Sequence, residues 1–244
     1  MKIPVIRGII DRRILVNYRV DPGILRRLLP EPFHPKLVKN VGVAGVCLIR
    51  LNHIRPTALP AVVGISSENA AHRIAVEWEE DGQKREGVYI PRRDTSSRLN
   101  TMLGGRLFPI IHHHASFDVA ESDDHYRVVM NSDDGESHVA VEATVTQALP
   151  AHSVFESLEA ASGFFEKGSV GYAPSARAGE LHGLELRSFG WRVQPLSVER
   201  VESSFFGDVA VFPLGSVEFD CALLMRAIEH EWHVRPGMII ADAA

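Results

Sequence analysis

The stretch Ile14-Leu15-Val16-Asn17-Tyr18-Arg19-Val20-Asp21-Pro22-Gly23-Ile24-Leu25-Arg26-Arg27-Leu28-Leu29-Pro30-Glu31-Pro32 changes character once, at Asp21. Up to Val20 it is apolar with β-branched residues and reads as a strand. Asp21 can then accept the free amides of a first helical turn, and Pro22 sits where no amide donor is needed. Pro30 ends the short helix that follows. A strand running straight into a capped, Pro-bounded helix sets the pattern for the whole chain.

Further strands are expected over residues 41–51, 73–78, 87–90, 115–119, 126–130, 137–145, 186–192 and 198–206. Asp81-Gly82 and Asp134-Gly135 lie between alternating runs, and their residues tolerate the positive φ of tight hairpin turns. Two antiparallel hairpins follow, 74–78 with 88–90 and 126–130 with 139–145. Residues 219–232 fit a helical or a strand period, with a slight preference for strand. Helices are few. One is expected over 96–103, after Asp94 and before Gly104-Gly105. Another starts at a Ser153–Glu156 capping box and runs to about Lys167, with Gly168 as its stop and Leu158, Ala161, Phe164 and Phe165 as its apolar face. Many short strands with peripheral helices predict a mainly β, α+β protein, an antiparallel barrel or cone with helices outside. No linker or repeat divides residues 1–244, which reads as a single domain.

The net charge is −5 and both signs are interspersed, so no basic stripe argues for nucleic acid. The apolar run at 41–49 is too short to span a bilayer, and Asp11-Arg12-Arg13 interrupts any secretory signal. The reading is cytoplasmic, with no membrane partner. Cys47 and Cys221 stand in apolar company and are too few for a disulfide framework or a thiolate zinc site.

Tyr18-Arg19-Val20-Asp21-Pro22, Ser67-Glu68, Gly104-Gly105-Arg106 and Phe108-Pro109 resemble, in that order and rough spacing, the acetoacetate decarboxylase family over roughly residues 10–120. In that family the corresponding arginine and glutamate line a small keto-acid pocket, and a Phe-Pro-Lys-Lys stretch supplies a Schiff-base lysine. Here Phe108-Pro109 is followed by Ile110-Ile111, so the resemblance implies the scaffold without its nucleophile. Glu68-Asn69, Gly87-Val88-Tyr89 and Glu229-His230-Glu231-Trp232 resemble an uncharacterised bacterial branch of that superfamily, known only as a domain of unknown function.

The resemblance implies Arg19 and Glu68 as the reactive pair, with Tyr89, Arg106, Ile110, His112 and His114 lining the substrate. A guanidinium matches a carboxylate in two parallel hydrogen bonds, which suits holding a small organic acid. The alternative for Arg19 is an ion pair with Asp21 or another acid at the sheet edge. Glu68 can exchange a proton if partly buried, or be an exposed loop acid. In a strand His112 and His114 share one face, which is half a metal site; a third ligand would come from Glu68 or His72. Lining a polar cavity is preferred over metal. The lysines (Lys2, Lys36, Lys39, Lys84, Lys167) include no adjacent pair, and a neighbouring cation is the device by which acetoacetate decarboxylase, a known example, activates its amine. The expectation is a small-organic-acid pocket needing no cofactor, with lyase- or isomerase-like acid–base chemistry. The rivals are a non-catalytic binding protein and, more weakly, a metal-dependent enzyme built on His112 and His114. Homo-oligomerisation is left open.

Overall fold

In chain order the strands are β1 (Ile6–Val20), β2 (His34–Pro35), β3 (Leu37–Val38), β4 (Val41–Pro56), β5 (Ile65–Glu80), β6 (Gln83–Thr95) and β7 (His113–Glu121). They continue as β8 (His125–Ser132), β9 (His138–Val145), β10 (Val170–Pro174), β11 (Glu180–Phe189), β12 (Gln194–Ser203) and β13 (Val217–Ile239). Among the described residues they are accompanied by the α-helices α1 (Pro22–Leu28), α2 (Arg98–Leu103) and α3 (Leu158–Lys167) and a short 3-10 turn at Ala61–Val63. The structure is a computed structural model and describes residues 4–103 and 111–240.

β1 is paired along nearly its whole length on both sides, with β13 and with β4. From β4 the pairing passes through β5, β6, β7, β8, β9 and β12 and returns to β13, so the ladder closes on itself. β10 and β11 make a second bridge between β6 and β13. The sheet is mixed, where a purely antiparallel one was expected: β6 runs parallel to β7 and to β10. Parallel neighbours need a crossover connection, and the chain from β6 to β7 makes one through α2.

Closure gives the sheet an inner and an outer face, with residues of one parity on each. The inner core contains Ile14, Val16, Tyr18, Leu48, Ile74, Met130, Val141 and Leu224. The outer core contains Leu15, Cys47, Ile49, Leu223 and Met225, covered by Phe155, Ala161 and Phe165 of the α3 segment. Asp21 caps α1 as expected, accepting from the amides of Gly23 and Ile24. The third helix starts later than its motif implied. Its cap is Ser157, while the Ser153 hydroxyl donates to Asp220 at 2.8 Å. Asp220, a buried carboxylate on β13, also accepts from the Val154 amide, and the Ser153 amide donates to the Pro150 carbonyl, so these contacts take up the groups the local motif would have used. Residues 219–232 lie within β13, and Ala227 has a φ of 52°. That left-handed residue breaks the alternation and explains why the segment's period was ambiguous. Asp81 and Gly82 take positive φ in the β5–β6 hairpin, as their sequence required. Among the described residues no helix is long and apolar enough to cross a membrane.

β1 and β4 approach so closely that a Cβ at Gly45 would collide with the carbonyl of Val16, whereas one at Gly163 in α3 would meet nothing. Gly45→Ala is expected to destabilise by about 3 kcal/mol or more, since backbone must move. Gly163→Ala is expected to stabilise by about 0.5–1 kcal/mol through helix propensity. Urea unfolding of the two variants checks both signs.

Candidate functional site

Following the inner face of β1 from Tyr18 through Val16 and Ile14 leads to Arg12, which is 1% exposed. Across the ladder it faces Arg226 on β13 and Arg50 on β4, and Arg50 faces Glu68 on β5. Antiparallel partners share a face, so these four form one row on the inner surface. Beside the row the register of β1 slips between Ile10 and Arg12, and Ala227 sits opposite with its positive φ. Ile10 belongs to the outer core, so this irregularity turns Arg12 inward. Bulges commonly re-aim a side chain in this way.

Arg12 Nη2 donates to Glu68 Oε2 at 2.5 Å, and Arg12 Nη1 donates to Glu121, which reaches across from β7. Arg50 Nε donates to the other Glu68 oxygen at 2.6 Å, and its two terminal nitrogens hold Glu121 at 2.9 and 3.0 Å. Asp11 adds a longer contact to Arg50 at 3.3 Å. Two guanidiniums thus share two carboxylates. Burial alone would raise the Glu121 pKa, but the hydrogen bond and charge of Arg12, then Arg50, outweigh it and lower it. For Arg50 burial works the other way, and Glu68 and Glu121 hold its pKa above the usual arginine value. Arg226 ends the row without a carboxylate, held by the Tyr126 hydroxyl at 3.0 Å and by Gln194 at 2.9 Å. It also lines an open cleft of about 740 Å³ beside α3, together with Leu158, Gly163, Arg192 and Gln194.

The expected pairing of Arg19 with Glu68 does not occur. Arg19 has the opposite parity to Arg12, and its guanidinium donates to Glu218 at 2.7 Å and to the His152 carbonyl at 2.6 Å. It is an edge ion pair with its cross-strand neighbour, roughly 23 Å along the strand from Arg12. Tyr89 is on the inner face but pairs with Ile74, roughly 20 Å along β5 from Glu68, and packs against Phe33. Burial raises its pKa. Arg106 and Ile110 lie outside the described residues. His114 and its neighbour His113 are held by Asp133 at 2.7 Å and Asp134 at 3.0 Å, and His112 precedes the strand. The metal-capable trio among the described residues is His125, Glu142 and Glu199, which excludes His112 and His114. An aspartate beside each strand histidine accounts for their polarity without a metal.

Arg12 was missed because the strand was begun at Ile14. Parity was the available signal, since Ile14, Val16 and Tyr18 point back to Arg12 and away from Arg19. His72, which the sequence suggests only as a third metal ligand, belongs to the same region. It is fully buried on the same face, paired in register with Arg92.

A family model described as an uncharacterized conserved protein, DUF2071, matches residues 10–211. The chain belongs to this family. No curated protein matches it. Among solved structures it resembles acetoacetate decarboxylase from Legionella pneumophila, with 14% identity, 98% of this chain and 88% of that one covered, and a TM-score of 0.61. It also resembles an acetoacetate decarboxylase-like enzyme from Sphingomonas wittichii RW1, at 13% identity over 99% and 94% of the chains and a TM-score of 0.58. The enduracididine biosynthesis enzyme MppR complexed with pyruvate is similar at 11% identity, over 100% and 93%, with a TM-score of 0.61. At such identities the likeness establishes the acetoacetate decarboxylase-like fold of this DUF2071 protein.

Two buried histidines make the fold acid-sensitive. Burial, then Arg92, lowers His72 to about 4, and burial, then Arg13, lowers His230 to about 4. Unfolded histidine binds its proton near 6.5, so the unfolded state takes up protons first as pH falls. Stability is therefore full above about 6.5 and is lost progressively down to about 4. Glu121 adds a loss as pH falls from the ordinary glutamate value through its lowered one. Unfolding followed from pH 7 to 4 is expected to show a loss of several kcal/mol, and His230→Phe should flatten the upper part of that slope by up to about 3 kcal/mol.

Proposed function

We propose that this protein binds a small carboxylic acid of the keto-acid class at Arg12 and Arg50, with Glu68 beside it as the proton-exchanging group. The observation that carries this reading is the burial of the Arg12 guanidinium, whose side chain is only 2% exposed, inside a row that presents a second guanidinium. A buried guanidinium needs a compensating partner, here an anionic one, and removing one partner of such a pair typically costs about 3–5 kcal/mol. Of the two anions, Glu68 is the more enclosed at 15% exposure, and Glu121 at 25% is the more open. Glu121 spans both arginines with both oxygens, as a ligand carboxylate would. Because Glu68, Glu121 and, at 3.3 Å, Asp11 already face the two guanidiniums, an arriving carboxylate takes the place of Glu121, the more open of the two acids that bridge them. Glu68 then remains on the arginines, within the same polar cluster as the bound acid. The keto-acid class is supported by MppR, a protein of this fold whose complex holds pyruvate.

The chemistry proceeds without an imine. Lys39 and Lys84 pair with Glu156 and Glu77 at 3.2 and 2.8 Å, Lys36 pairs with Glu86, and Lys167 lies exposed in the last turn of α3. Enolisation, hydration or dehydration at the carbon next to a carbonyl needs only a positioned acid–base group. A second form of the same reading, binding without turnover, is favoured by one observation. Glu68 accepts from two guanidiniums, so both of its oxygens are already engaged in the free protein.

Calorimetry and thermal shift with pyruvate and acetoacetate test the site. Wild type is expected to bind, and Arg50→Gln to lose at least tenfold. Glu121→Gln is expected to gain about tenfold, because the competing anion is gone. Failure of every carboxylate to bind wild type and Glu121→Gln would overturn the reading. Exchange of the pyruvate methyl protons in D2O, followed by NMR, separates an enzyme from a binding protein. Borohydride with acetoacetate should leave the protein mass unchanged, and a lysine adduct would restore imine chemistry.

A further inference from the structure

On the inner face of β5 the side chains run Glu68, Ala70, His72. Ala70, between the carboxylate and the imidazole, carries only a methyl group and is buried. His72 is fully buried, yet neither of its ring nitrogens has a hydrogen-bond partner. Its ring faces Phe205 and Phe206, with centroids at 5.0 and 6.3 Å. Asp94, opposite Ala70 on β6, is the acid nearest in register, and it is engaged by Arg92 at 2.9 Å. Arg92 in turn holds Asp134 and Glu136. An unmet donor and an unmet acceptor each cost about 1–3 kcal/mol when buried. A purely structural ring beside this phenylalanine pair would be better served by a third phenylalanine. The imidazole is neutral at pH 7, because burial and Arg92 disfavour its cation, so it has one N–H to give and one lone pair to offer.

We propose, building on the carboxylate reading of Arg12 and Arg50, that His72 is the second recognition group of the same inner site and reads an uncharged oxygen of the ligand. The ligand class is then an oxo or hydroxy acid whose second oxygen stands several bonds from its carboxylate. Glu68 and His72 are separated by roughly 13 Å of strand. A 4-oxo acid spans that gap better than a 2-oxo acid. A keto oxygen takes the imidazole N–H, and a hydroxyl can serve both nitrogens. Phe205 and Phe206 border the apolar middle.

The probes are 4-oxopentanoate, 2-oxopentanoate and pentanoate, which share a carboxylate and a chain length. Wild type is expected to bind 4-oxopentanoate at least tenfold more tightly than the other two by calorimetry. His72→Phe should bind all three alike, with pentanoate unchanged, and His72→Gln, which keeps a donor and an acceptor, should recover part of the preference. Equal binding of the three by wild type, or a preference that survives in His72→Phe, overturns the role of His72 while leaving the arginine site standing. No binding of any acid by wild type removes the arginine reading and this inference with it. At pH 7 His72→Phe should also melt higher than wild type. A lower melting temperature would mean that the ring nitrogens are already satisfied in the free protein, which overturns the proposal.

Discussion

A sheet closed into a ring forces every residue of its central strand to one of two interiors, and β1 is where that constraint acts hardest. It is paired on both sides, so nothing on it can turn away. Arg12 and Arg13 are neighbours in sequence and belong to different cores. Arg12 faces inward to two carboxylates, while Arg13 lies outward with the Cys47 sulfur at 3.2 Å and the face of Trp191 beyond. Strict alternation from Ile10 would have placed Arg12 outside with the outer core. The slip at Asp11 reverses this, and one irregular residue moves a full charge from one interior to the other.

The two interiors hold their buried arginines by different physics. On the outer side Arg73 is almost fully buried, bonded to the Asn17 side chain and stacked on the ring of Phe165 at 4.8 Å. No carboxylate joins it among the described residues, and burial lowers its pKa to about 10. Stacking on an aromatic face compensates a guanidinium without an anion, so α3 covers a cation as well as an apolar surface. On the inner side the compensation is anionic and partly open to solvent at Glu121. An aromatic ring cannot be exchanged for a ligand, but a carboxylate can. That difference makes the inner row the candidate site.

The fold was legible because its signals are local. Asp81-Gly82, Asp21-Pro22 and the alternating runs each specify geometry over a few residues, and the structure follows them. The site was less legible because its geometry depends on parity carried over a whole strand. Starting β1 at Ile14 left out Arg12, and weighing Arg19 by its place before Asp21-Pro22 ignored which face it takes. Glu68 was chosen on a resemblance, but its partners could not be read from spacing, since Arg50 and Glu121 come from β4 and β7. Ser153 failed for a related reason: Asp220, sixty-seven residues away, offers it a buried acceptor that no local motif can announce.

A set of arginines and carboxylates supports different reactions from those of an amine nucleophile. An imine stores the electrons of a departing carboxylate, and nothing in the arginine row can do so covalently. What the row offers is electrostatic: two guanidiniums fixed before any ligand arrives, in a setting dry enough for their charge to act over short distances. Such a field stabilises an enolate or a bound carboxylate alike. What separates the two outcomes is the freedom of Glu68, which accepts from both guanidiniums. Arg12 and Arg50 are each held by Glu68 and Glu121 at once, and Asp11 adds a third carboxylate to Arg50, so the charge of the row is shared among side chains from β1, β4, β5 and β7.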